Sequence, residues 1–223
     1  MLRATAVLLV LAAGCTATPP GGEGVPDAAA GPDGGERDGP TAGGLLIHLV
    51  ARPALPSVST TVSVSECKLW LRDVRAIGDA APGDDRTSLA EAQLDFRSDR
   101  NPGDIEFPLA PPGLYSELDA RLGQNGGQGG NGYEIHGTVQ IGPESFELEV
   151  DDEQAWGTIS IDLGTLRVDG PTVTTIALDL SFLGAIDWAS LPRDGDKIRL
   201  DSSSAAAAQF RAGVLGAFVL AHP

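Results

Sequence analysis

The sequence predicts a mainly β protein, a single antiparallel β-sandwich with one or two short helices near its C-terminus. Three observations carry that prediction. From Leu45 onward, apolar residues recur at every second position in short runs, the period of half-buried strands. Clusters of Gly, Pro and Asp separate the runs, as turns between strands require. Helical signals are confined to residues 181–191 and 202–212. Many short strands with frequent turns bury one face each, and two packed sheets satisfy them all.

Leu45 to Val50 reads as a first strand, apolar on both faces. Val58, Thr60, Val62 and Val64 alternate, and Cys67, Leu69 and Leu71 continue on the opposite parity. That flip at Ser65-Glu66 predicts a bulge or sharp bend between two strand segments. Residues 79–88 read as a loop, followed by short strands through Ala92, Leu94 and Phe96 and through Ile105, Phe107 and Leu109. Ala110-Pro111-Pro112-Gly113 forms a rigid turn, because Pro restricts φ and Gly supplies conformations other residues resist. A strand then places Leu114, Ser116, Leu118, Ala120 and Leu122 on one face.

Residues 124–132 hold five glycines in nine positions and read as a loop between paired strands. They lack the Lys-Ser/Thr ending and the following helix of a phosphate-cradling loop. The clearest hairpin comes next. Tyr133, Ile135, Val139 and Ile141 alternate with polar residues, Gly142-Pro143 turns the chain, and Phe146, Leu148 and Val150 alternate in return. Strands are expected at 157–163, 165–169 and 172–180, a short helix at 181–191 packing Phe182, Ile186 and Trp188, and a strand at 197–201. Ser202-Ser203-Ser204 is expected to cap an Ala-rich helix to Ala212, with Gly213 closing it before a strand from Val214 to Leu220.

The 223-residue chain divides into residues 1–14, a signal peptide; 15–44, a linker; and 45–223, the sandwich domain. Nine Gly and five Pro among residues 16–44, with Val25 the one branched aliphatic, cannot bury enough surface to offset ordering entropy. A disordered, Gly-rich coil of that length has a root-mean-square reach of roughly 30 Å, enough to act as a spacer. The formal net charge of −16 opposes nucleic acid, whose binding needs cations that displace counterions.

Arg3 is the one charged side chain before Glu23, and the apolar run from Ala4 to Ala13 is interrupted by Thr5 alone. A bilayer-spanning helix needs about 20 apolar residues, so this stretch reads as a signal peptide. It ends in Leu11-Ala12-Ala13-Gly14-Cys15, which resembles the lipobox of bacterial lipoproteins. Leu11 stands one place earlier than the family's usual Leu, and Ala13 and Gly14 match its small positions. The resemblance implies cleavage before Cys15, a diacylglyceryl thioether on its sulfur, and an acylated amine. With Thr16 rather than Asp next, it implies anchoring to the outer membrane of a Gram-negative cell envelope, facing either the periplasm or the exterior. Several acyl chains hold a protein essentially permanently, since each buried CH₂ contributes ~0.8 kcal/mol. The turn and strand from Leu109 to Leu122 resemble the P-P-G-x-Y turn of prealbumin-like and carboxypeptidase-regulatory-like sandwich domains. Residues 45–223 are similar more broadly to sandwich domains of bacterial lipoproteins without an assigned function.

With Cys15 lipidated, Cys67 has no disulfide partner and reads as a small buried apolar residue. His48, His136 and His222 do not accompany a G-x-S-x-G elbow, and no two His/Cys ligands have metal spacing. No catalytic residue, metal or cofactor is assigned. Asp151-Asp152-Glu153 and Asp194-Gly195-Asp196 sit at loop ends, as calcium-type oxygen ligands or as solvated turns satisfying local backbone. Trp70 shares a strand face with Lys68 and Arg72. Solvated, that face is a candidate sugar- or protein-contact surface; covered by a helix or loop, it is a second packed face. Trp156 and Tyr115 read as core or turn-packing residues.

The sequence reading is therefore an envelope lipoprotein whose body is a non-catalytic structural or ligand-binding module. Its membrane contact is through Cys15, and a glycan or protein is the expected ligand. The alternative is an envelope glycan hydrolase working through loop carboxylates.

Overall fold

The computed structural model describes residues 44–78, 84–100, 102–123, 130–154 and 156–221, all within the unit Asp38–Pro223. The expected signal peptide at 1–14, Cys15, nearly all of the expected linker at 15–44 and His222 lie outside the described residues. In chain order the elements begin with β1 (Leu45–Arg52), β2 (Val62–Gly78), β3 (Asp84–Arg97) and β4 (Ile105–Phe107). β5 (Gly113–Leu122), β6 (Tyr133–Ile141), β7 (Glu144–Asp152) and β8 (Gly157–Val168) follow. β9 (Thr172–Asp179), β10 (Lys197–Leu200), α1 (Ala207–Leu215) and β11 (Phe218–Leu220) complete the fold. Two short 3₁₀ turns, Leu180–Ala185 and Trp188–Ser190, link β9 to β10.

Two sheets form the expected sandwich. The smaller has the order β11-β9-β1-β4. The larger runs β10-β7-β6-β2-β5-β8, with β3 added along the remaining edge of β2. Within this mostly antiparallel framework, β1 pairs with β9 and β7 with β10 in parallel. Inward residues of both sheets, among them Ile47, Leu69, Phe96, Phe107, Leu118, Ile135 and Ile176, share one continuous core.

β2 is the spine. It is seventeen residues long, and its first half pairs with β6 while its second half pairs with β5. The parity flip at Ser65-Glu66 is a bulge: the register with β6 shifts between Val64 and Glu66. A second flip follows Leu71, where Asp73 adopts φ 49° and returns Val74 and Ala76 to the core. Two bulges let one strand bend while keeping its apolar side inward.

Several boundaries differ from the sequence reading. The two segments expected around Ser65 are one strand, because a bulge interrupts the register without ending the ladder. β3 begins at Asp84 inside the expected loop, since backbone pairing with β2 needs no apolar side chain. The segments at 157–163 and 165–169 are the single strand β8, with Gly164 at φ 65° absorbing the irregularity. Tyr115, not Leu114, enters the core from β5, because the register with β8 shifts between Tyr115 and Glu117.

Near the C-terminus, Ser203 and Ser204 bind the Asp201 carboxylate in a turn and leave α1 to start at Ala207 without a side-chain cap. Gly213 lies within that helix; a Cβ there would fall 2.4 Å from the Phe182 ring, so the glycine permits the close approach. Trp188 is buried, meets the Phe210 ring edge-on at 5.5 Å, and donates its indole N–H to Leu183 O at 3.0 Å.

Candidate functional site

Alternation along β2 buries Leu69 and Leu71 and turns Lys68, Trp70 and Arg72 to the outer face of the larger sheet. The structure thus brings the three sequence-predicted residues together, with Trp70 half-buried. Its neighbours across β3 are Asp95 opposite Lys68, Gln93 opposite Trp70 and Glu91 opposite Arg72. Lys68 is tied down on this face, with Nζ 3.0 Å from Glu66 Oε2 and 3.9 Å from Glu134 Oε2. Glu66 also pairs with Arg97, which lies 3.0 Å from Asp95, and Arg100 closes on Asp95 from the far side.

Trp70 stands where the larger sheet forks. Its N–H donates to Gly132 O and its carbonyl accepts from Gly123 N–H, each at 3.0 Å. Toward its start, β2 therefore belongs to the half-sheet of β6, β7 and β10, and beyond Trp70 to that of β5 and β8. Gly123 is buried beneath the Arg72 side chain: a Cβ there would lie 3.0 Å from Arg72 Cδ and 3.3 Å from Cγ.

Trp156 corrects the sequence reading. Expected in the core or a turn, it is 57% exposed. Gly157 pairs with Leu122 on the inner side, and a Cβ on Gly157 would collide with Leu215 of α1. Trp156 stands one residue earlier, ahead of β8, and donates its N–H to Gln154 O at 2.9 Å. Extended by one residue past its last pair, the β5–β8 register would set Trp156 across from Gly123, whose N–H donates to Trp70 O on its other side. No apolar pattern announced this, because Trp156 precedes the first strand residue. Tyr115 is buried as expected, with its hydroxyl donating to Pro111 O at 2.7 Å.

The acidic loop ends do not converge on a shared site. Asp151 and Asp152 are adjacent on β7 and face opposite sides of it. Asp152 points inward, is 1% exposed, and binds Arg211 and the Tyr133 hydroxyl. Burial and the neighbouring charge push the Tyr133 hydroxyl's pKa upward. Asp151 faces outward, where burial and then the Glu149 charge raise its pKa above the usual carboxylate value of 3.8. Asp194 closes a small bridge with Lys197 through backbone hydrogen bonds.

Another pair of carboxylates, Glu117 and Asp119 on β5, faces outward beside Ser160, which donates to Glu117. Burial, then the Glu117 charge, raises the pKa of Asp119. Among the described residues no three His, Cys, Asp or Glu side chains are arranged to hold a metal ion, and no helix is long and apolar enough to cross a membrane. Neither a family model, nor a curated protein, nor a solved structure matches the chain.

Cys67 is 1% exposed, and burial pushes its thiol up to about 12. It packs as the small apolar residue its position on β2 suggests. His48 faces outward with Nδ1 2.8 Å from Asp104 Oδ1, and His136 lies across from Glu66 and Glu149.

Proposed function

We propose that the chain is a lipid-anchored, non-catalytic binding module of a bacterial cell envelope, with the Trp70 face as its ligand surface. Cys15 bears the acyl chains, the linker separates the sandwich from the membrane, and the outer membrane is the site of anchoring. Support for the anchor comes from the lipobox-like run Leu11 to Cys15. Support for the binding face is one observation: half-buried Trp70 stands at the fork of the sheet, between cationic Lys68 and Arg72, with exposed Trp156 just ahead of β8. An amphipathic ring beside hydrogen-bonding groups suits a glycan or a protein surface.

Two measurements test the reading. Mass spectrometry of the mature N-terminus is expected to find acylated Cys15, and the native protein to enter the detergent phase. An unmodified thiol behind an intact Met1 would remove the anchor. A glycan and protein pull-down is expected to lose its captured ligand on Trp70→Ala, and capture that survives the substitution would remove the face.

Hydrolysis of an envelope glycan is the second reading. The observation favouring it is the pair Glu117 and Asp119 on the outer face of β5, with Asp119 raised by burial and then by the Glu117 charge. Release of reducing ends from a captured glycan, abolished by Asp119→Asn, would establish it.

A further inference from the structure

We propose that the Trp70 face recognises an acidic glycan: Trp70 and Trp156 meet the apolar faces of sugar rings, and Arg72 meets a carboxylate or phosphate carried on them. The inference rests on the reading of this face as the binding surface, and adds the ligand class, the anion contact and a second aromatic.

Arg72 is the observation that selects an anion. Its neighbours on the outer face are paired: Lys68 with Glu66 and Glu134, Arg97 with Glu66 and Asp95, and Arg121 with Asp73 at 3.6 Å. Arg52, elsewhere, has the Asp179 charge acting beside it. Arg72 forms no ion pair among the described residues, although Glu91 stands opposite it on β3. A guanidinium left open on this face is available to a ligand's anion, and it works against the −16 net charge of the chain.

Geometry places that cation where a sugar-bound anion would arrive. Its stem lies along buried Gly123, whose N–H donates to Trp70 O, while Leu122 beside it pairs with Gly157, the residue after Trp156. The glycine leaves room for that stem, since a Cβ would press on Arg72 Cδ at 3.0 Å. Adjacent strands are spaced by about 4.8 Å, so two spacings, about 10 Å, separate β2 from the start of β8 across β5, with the cation between them. Aromatic faces cover the C–H faces of successive rings, and the planar guanidinium presents two parallel N–H donors to a carboxylate or phosphate. Lysine could supply the charge without that fork.

The test is calorimetric titration of the full, detergent-solubilised chain with three probes: hexagalacturonate, its methyl ester, and a phosphorylated mannose oligosaccharide. The expectation is that the wild type binds an anionic probe about ten- to hundredfold more tightly than the neutral ester, the worth of one charge-assisted hydrogen-bonded pair. Preference for the uronate identifies carboxylate as the natural group, and preference for the phosphorylated probe identifies phosphate. Arg72→Gln is expected to reduce the anionic probe to the ester's affinity, and Arg72→Lys to restore part of the difference. Trp156→Ala, at an exposed site, is expected to weaken charged and neutral probes alike. Equal binding of charged and neutral probes, unchanged in Arg72→Gln, would overturn the ligand class and leave the binding face standing. Binding of none of the probes would overturn this inference, and binding indifferent to Trp70→Ala would overturn the face and this inference together.

Discussion

Arg211 on α1 grips Asp152 at the end of β7 with two nitrogens, Nη2 at 2.8 Å and Nε at 3.0 Å from Oδ2. Asp152 is the one buried charged residue described, and the Tyr133 hydroxyl donates to it at 3.3 Å. The pair pins the C-terminal helix to the β6–β7 hairpin, two elements that the sequence separates by 59 positions. Arg211→Met leaves a carboxylate buried without its cation, and is expected to lower unfolding stability by about 3 kcal/mol, the lower end of the range because Arg211 is partly exposed. The double variant with Asp152→Leu is expected to recover most of that loss. Urea unfolding midpoints of the two variants measure it, and an unaltered midpoint in Arg211→Met would mean that the pair pins nothing.

Gly137 faces the bulge at Ser65, and a Cβ there would lie 2.0 Å from Ser63 O. The obstacle is main chain, so no side chain can rotate away. Gly137→Ala is expected to cost about 3 kcal/mol or more, at the upper end for overpacking. Gly142→Ala makes the comparison informative, because it meets no atom within 4 Å and is strained only through its φ of +60°. Thermal unfolding of both variants should rank Gly137→Ala as the more damaging.

Asp151 supplies a pH signature. Its pKa in the fold is raised above 3.8 by burial, then by the charge of Glu149. The folded chain therefore holds that proton more readily than the unfolded chain, and stability falls as pH rises from 3.8 through the folded value. The penalty is fully present at neutral pH. Asp151→Asn is expected to unfold at higher urea than the wild type at pH 7, the two curves converging as the pH approaches 3.8. A variant less stable than wild type at pH 7 would mean that Asp151 makes favourable contacts outweighing its burial.

Cys67 is expected to resist aromatic disulfide reagents at pH 8 in a Cys15→Ala variant, where it is the remaining thiol. Burial shields the sulfur and, by pushing its pKa to about 12, leaves almost no thiolate to react. Labelling should appear only across the urea transition. Prompt reaction in buffer would show that β2 opens locally around Cys67.

Much of the architecture was legible before any coordinates. The β6–β7 hairpin appears with its Gly142-Pro143 turn, and the bulge at Ser65 lies where the parity of β2 changes. The less legible elements are those without an apolar rhythm. The polar start of β3 is a strand because β2 offers it a ladder, and Leu114 yields its core place to Tyr115 because β5 and β8 slip register. Trp70, Lys68 and Arg72 could be put on one face from spacing alone. Whether that face was covered could not.

Sequence by itself determined the sandwich class, the places of most strands along the chain and most of the residues that turn inward, since apolar alternation is a local record of which side of a strand leaves water. Only the tertiary structure decided that two pairs of strands run parallel, that Gly123 meets Trp70, and that Asp152 belongs to Arg211. Those relationships join positions far apart in the chain. Register, the sheet's fork and the choice of ion-pair partner arise when distant strands meet, and no local pattern of side chains encodes them.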